Sequence, residues 1–149
     1  KIKHKNIQLD DIDFLKNIDR TLHSRIHHVI TENERVVAMT DALLNNNPDY
    51  AGKLLLDSHF SLRDDYQVSC PEIDFIVKQS QQFDYWYGGR IMGGGFGGNV
   101  LCLIKSDKLD VYKKHLNDIY SRKYNMHLDI SEVEFSNGAE VLDINSVEY

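Results

Sequence analysis

The order of patterns along this chain predicts an α+β fold, with helices packed on one face of an antiparallel sheet. Three observations carry it. Apolar residues recur at three- and four-residue steps through the first half of the chain, as on one face of a helix. Two short apolar runs then read as strands on either side of a glycine-dense loop. A further helical pattern and an alternating segment follow them.

Lys1 to Leu9 shows no firm period and is read as an arm, and Asp10 to Leu15 as a short helix. Ile26, Val29, Ile30, Asn33, Val36, Val37, Thr40 and Leu43 mark the face of a long helix from about Asp19 to Leu44. Asn45, Asn46, Asn47 and Pro48 interrupt it. Asn47 suits a cap and Pro48 the first turn of a second helix, whose buried stripe is Ala51, Leu54, Leu55, Ser58 and Leu62. Ser69 and Glu72 have capping-box spacing before a third helix that turns Ile73, Ile76 and Val77 inward. Tyr85 to Met92 and Val100 to Ile104 read as strands. Leu109, Tyr112, Leu116 and Ile119 give a fourth helix, and Met126, Leu128 and Ile130 alternate with His127 and Asp129 as a half-buried strand does.

With 149 residues and 42% apolar composition the chain is sized for one domain, residues 1–149, with a core that needs no staples. No run approaches the roughly 20 apolar residues of a membrane span. A net charge of −6 with dispersed Lys and Arg argues against nucleic acid as a partner. Cys70 and Cys102 form no CxxC pair, which favours a reducing compartment. The sequence opens on Lys1 with no signal pattern after it, and reads as a piece of something longer.

The chemistry concentrates in Gly93, Gly94, Gly95, Phe96, Gly97 and Gly98, preceded by Gly88 and Gly89. Glycine costs conformational entropy, so such a run implies torsions closed to other residues or a ligand that approaches the main chain. Successive N–H groups in a loop of this kind form a concavity suited to phosphate. No Lys-Ser or Lys-Thr follows, and a strand rather than a helix comes next, so it is neither a Walker loop nor a dinucleotide fingerprint. Phe96 is expected to anchor the loop against a wall. A flexible hairpin turn is the plainer alternative.

The segment Ser58-His59-Phe60-Ser61-Leu62-Arg63-Asp64-Asp65-Tyr66-Gln67-Val68-Ser69-Cys70-Pro71-Glu72-Ile73-Asp74 resembles the signature of the galactokinase family. Arg90 to Gly98 resembles the third motif of the wider galactokinase, homoserine, mevalonate and phosphomevalonate kinase superfamily, and Arg25-Ile26-His27-His28-Val29 a helix start of the same family. Met92 and Asn99 stand where many members have Thr and Cys. The resemblance implies a ferredoxin-like C-terminal domain and an activity that transfers the γ-phosphate of ATP, with Mg2+, to the C1 hydroxyl of galactose in the cytoplasm. It places no catalytic residue here, because the aligning Asp, the phosphate loop and the metal and sugar ligands belong to the family's N-terminal half. That half is then the partner, the chain alone is expected to be inactive, and its bared interdomain face to self-associate. A galactose and ATP sensor without turnover, or a kinase for another sugar, are the alternatives.

Arg63, Asp64, Asp65 and Arg90 are expected to support the active-site side. Asp64 and Asp65 form a carboxylate pair suited to acid–base work, although a helix end neutralised by Arg63 is the preferred reading. His23 and His27 have metal-ligand spacing but no third ligand, so no metal is assigned. Asp57, Ser58 and His59 are triad types on adjacent helical positions that point apart. Cys70, beside a helix start, is read as structural.

Overall fold

A computed structural model describes residues 19–134; the arm over 1–9 and the short helix over 10–15 lie outside them. Helix α1 (Arg20–Leu44) begins where Asp19 accepts the backbone N–H groups of Thr21 and Leu22 at 2.9 and 3.2 Å. Asn46 turns the chain with φ +48°, and the Asn47 side chain accepts from Tyr50 N at 3.0 Å to start α2 (Pro48–Asp64). The Asn-Pro signal is thus realised as expected, with Ala51, Leu54 and Ser58 buried.

On α1 the packing side differs from the expected one. Of the expected stripe Ile30 is buried, but Val36, Val37 and Leu43 face outward, Val36 at 67% exposure, and Ala42 and His28 are buried instead. The inward side carries Glu32 and Arg35, which pair with each other, and Glu32 also accepts from Ser58 of α2, so the burial follows paired charge rather than hydropathy. Helix α3 (Pro71–Ser80) buries Ile73, Ile76 and Val77. Its capping box does not form. Cys70 is the N-cap, without a side-chain bond, and the Ser69 hydroxyl donates to Asp74 at 2.6 Å.

Strands β1 (Trp86–Met92) and β2 (Asn99–Ile104) pair antiparallel, with Arg90 opposite Leu101 and Met92 opposite Asn99. A bulge at Tyr87, between Trp86 and Gly88, shifts the alternation. Trp86 therefore joins Ile76, Val77, Tyr112, Leu116 and Tyr120 in the larger core, under α3 and α4 (Leu109–Tyr124). Cys102 and Ile104 pack on the same cluster. Leu103 points the other way, into a second cluster of Ala42, Ala51 and Leu54 from α1 and α2. The helices expected together on one face are divided between the two: α3 and α4 cover one side of the ribbon, and α1 and α2 the other.

Glycines make that second face possible. A Cβ on Gly88 would stand 1.8 Å from the carbonyl oxygen of Gly52, and one on Gly52 would stand 2.2 Å from that of Tyr87. Helix and strand therefore touch main chain to main chain.

The strand expected around Met126 to Ile130 is absent among the described residues. The alternation survives, since Leu128 and Ile130 pack half-buried on the larger core. No ladder forms: Leu128 N donates instead to the Asn117 side chain of α4 at 2.7 Å.

Candidate functional site

The loop 93–98 leaves the end of β1 and re-enters at β2. Gly93, Gly95, Gly97 and Gly98 have φ of +93°, +90°, +133° and +91°, the left-handed side that L side chains avoid. The glycine density therefore answers a torsional requirement. Gly95 answers a second one, because a Cβ there would lie 2.6 Å from both the Cβ and the carbonyl oxygen of Val68.

The anchor is not Phe96. That ring is 76% exposed and its residue has φ +62°. What holds the loop is its backbone: Phe96 N donates to Val68 O at 2.6 Å, and Val68 N donates to Leu62 O at 3.0 Å at the end of α2. Val68 is buried, and Gln67 before it takes φ +60° to turn the chain. The family signature segment and the glycine loop, separate in sequence, are thereby stitched together in space.

Of the expected supports, Arg63 and Asp64 pair side by side at 2.8 Å through both carboxylate oxygens. The Arg63 hydrogen bond holds the Asp64 carboxyl below the usual carboxylate range. Asp65 turns away from Asp64 and accepts from Ser61 Oγ at 3.0 Å, with His27 Nδ1 at 3.2 Å. The two carboxylates are thus engaged by different partners. Arg90 projects on the α1–α2 side of β1, donating from Nε to Ile91 O at 3.1 Å and from NH1 to Glu32 at 3.3 Å.

A half-buried polar network that the sequence reading missed lies between α1, α2 and β1. Glu32 accepts from Arg35 Nε at 2.5 Å, from Ser58 Oγ at 2.8 Å and from Arg90. Burial alone would raise the Glu32 pKa, but hydrogen bonds from Arg35 and Ser58 and the charges of Arg35 and Arg90 outweigh it and hold it below the usual range. Beside it His28 Nδ1 meets Ser61 Oγ at 2.9 Å, and its ring stacks on Tyr66 with centroids 4.6 Å apart. Arg25 lies over the same Tyr66 ring at 5.1 Å. One signal was available: Arg90 inside an apolar strand requires a counter-charge, and the Glu32–Arg35 spacing on a helix supplies one.

The remaining constellations resolve as separate contacts. Asp57 pairs with Lys53, Ser58 with Glu32, and His59 Nε2 lies 3.4 Å from Asp74. His27 engages Asp65, and among the described residues no three His, Cys, Asp or Glu side chains converge where a cation would sit. Cys70 and Cys102 are free thiols. No helix among the described residues is long and apolar enough to cross a membrane.

Burial lowers the pKa of His28 and of His59, which is 1% exposed. A histidine with a depressed folded pKa binds a proton more readily when unfolded, so stability is lost as pH falls below about 6.5. Thermal midpoints are expected to drop from pH 7.5 to 5.5, with a shallower drop in His59→Gln. An equal slope in that variant would assign the effect elsewhere.

The family described as GHMP kinases C terminal matches residues 39–120, a span that runs from α1 through both strands and the loop to α4. A galactokinase of Thermotoga petrophila is 40% identical over 126 residues, 85% of this chain and 36% of that protein. One of Haemophilus influenzae is 42% identical over 99 residues, 66% of this chain and 26% of its own length. The crystal structure of Lactococcus lactis galactokinase complexed with galactose superposes with a TM-score of 0.78 at 28% identity, over 85% of this chain and 34% of that one. The chain spans about a third of the length of the curated relatives it matches. With that family covering more than half of its residues, and the glycine loop inside the matched span, the chain belongs to the GHMP kinases, whose C-terminal domain it carries.

Proposed function

We propose that this chain is the C-terminal domain of an ATP-dependent galactokinase, which completes the active site of an N-terminal half and helps form galactose 1-phosphate. The observation that carries this reading is the loop 93–98, held with four glycines at positive φ inside a fold shared with a galactose-bound galactokinase. Phosphoryl transfer needs positioning and charge stabilisation more than covalent chemistry from the protein. A loop of fixed shape without side chains at Gly93, Gly94 and Gly97 contributes positioning: it closes one wall of the pocket and lets phosphate and sugar approach the main chain.

ATP would supply the transferred γ-phosphate, and Mg2+ would stabilise the negative charge on it. The described residues offer no carboxylate cluster for the cation, which on this reading is held by the N-terminal half together with the catalytic base. Gly93, Gly94, Gly95, Gly97 and Gly98 shape the wall. Arg90 stiffens its stem, and the Arg63–Asp64 and Asp65–Ser61 pairs brace the end of α2 that holds Val68. The enzyme works in the cytoplasm, in keeping with two free thiols and a requirement for ATP.

The test is galactose-dependent ADP release, measured on the full-length protein and on residues 1–149 alone. Turnover by the first and none by the second is expected. Turnover by the isolated chain would overturn the domain assignment, and a full-length protein that binds galactose without turnover would favour the sensor. Produced alone, the chain is expected to self-associate through the exposed α1 stripe of Leu22, Val29, Val36 and Leu43, which light scattering reads directly.

A further inference from the structure

We infer that Glu32 is a positioning residue for the loop: its carboxylate holds Arg90, and through it the stem of β1, so that residues 93–98 meet the substrates in one orientation. This rests on the kinase reading for its catalytic consequence, but not for the hold itself.

The geometry of β1 gives the argument. At Gly88 the strand lies against Gly52 with no side chain between them, so nothing there keys its tilt. Gly88, Arg90 and Met92 share the α1–α2 side, and Met92 is exposed. Arg90 is therefore the first side chain beyond the glycine contact that ties the strand to the helices, three residues before Gly93. Its NH1 reaches Glu32 at 3.3 Å while Nε returns to its own strand at Ile91 O, so the guanidinium is fixed at both ends.

Glu32 in turn is fixed from two helices. Arg35 reaches it from α1, and is itself held by donation to Thr31 Oγ1 at 2.8 Å; Ser58 reaches it from α2. One carboxylate thus joins α1, α2 and β1. Apolar packing would join them without the desolvation that a half-buried carboxylate and two guanidinium groups carry. What apolar packing lacks is direction, which hydrogen bonds to a forked donor supply. The loop then has two fastenings: Val68, itself bonded to the end of α2, at its tip, and the Glu32–Arg90 link to α1 at its stem.

The experiment uses the full-length enzyme with Glu32→Gln, Arg90→Lys and the double variant. Steady-state kinetics are taken well below each thermal midpoint, alongside hydrogen exchange of peptides covering residues 86–104. Glu32→Gln is expected to lower kcat at least tenfold with the galactose KM changed less than threefold. Exchange should quicken in residues 90–98 and not in α4. The double variant should lose no more than the worse single one, since both act through one link. A kcat within twofold of wild type, additive losses, or quickening spread evenly over α4 would each overturn the inference. Should Glu32→Gln fail to fold, Arg90→Lys, which keeps the charge, decides the same question. Should the wild-type enzyme show no galactose-dependent turnover, the kinase reading fails while the exchange measurement still decides whether Glu32 holds the loop.

Discussion

Valine at position 95 is expected to lower kcat/KM of the full-length enzyme by about a hundredfold, the scale that misplacement by about 1 Å imposes on a positioned reaction. Two effects add. Gly95 sits at φ +90°, where a β-branched residue is strained by about 1–3 kcal/mol. Its Cβ would also stand 2.6 Å from Val68, and neither the Val68 carbonyl nor its Cβ is the free end of a flexible side chain. The loop must leave Val68, breaking the Phe96 N–H bond that fixes it. Gly94→Ala is the informative companion. A Cβ at 94 has nothing within 4 Å, and Gly94 does not have positive φ, so the fold should accept it without loss. A fall in rate for Gly94→Ala at unchanged thermal midpoint would show that a ligand needs that space. Phe96→Ala should leave stability within about 0.5 kcal/mol, because the exposed ring packs on little. Normal activity and stability in Gly95→Val would reduce the loop to a connector.

The largest loss of stability is expected at the other pair of glycines. Gly88→Ala inserts a methyl group 1.8 Å from a carbonyl oxygen of α2, and Gly52→Ala inserts one 2.2 Å from a carbonyl oxygen of β1. Overpacking in a core costs about 1–3 kcal/mol and more where backbone must move. We therefore expect a loss of 3 kcal/mol or more in urea unfolding, or failure to fold. Gly89→Ala, whose nearest approach is 2.7 Å to Leu101 O and whose other neighbours are side-chain atoms of Trp86 and Cys102 at 3.1 and 3.2 Å, should cost less than Gly88→Ala. Equal stability of Gly88→Ala and wild type would mean that α2 and β1 do not meet through their main chains.

The sequence was informative where local chemistry decides structure. The Asp19 start of α1, the Asn47-Pro48 start of α2 and the two strands around the loop follow from caps, periodicity and glycine content, and the structure places them accordingly. It was misleading where tertiary partners decide. The α1 stripe around Val36 has the right period but faces outward, because the inward side carries Glu32, whose partners Ser58 and Arg90 lie 26 and 58 residues away on α2 and β1. Ser69 and Glu72 have the spacing of a capping box, yet Asp74 takes the Ser69 hydroxyl. Phe96 looked like an anchor because aromatic rings usually bury, whereas here the main chain at Val68 does the anchoring. Alternation at 126–130 correctly marked Leu128 and Ile130 as half-buried, but alternation alone does not supply a neighbouring strand.

The contact between Gly52 and Gly88 also works as a gauge of alignment during folding. Sliding β1 along α2 would bring Arg90 under Gly52 in one direction and press Tyr87, whose Cβ already lies against Gly52, further in from the other, and neither side chain fits a space that excludes a methyl group. Sliding by one would offer Gly89, which is small enough, but would turn the side chains of β1 to the wrong sides of the ribbon. Only one offset satisfies both conditions. The glycines that contribute no packing of their own thus set where β1 stops, and with it the height at which the loop stands above the helices.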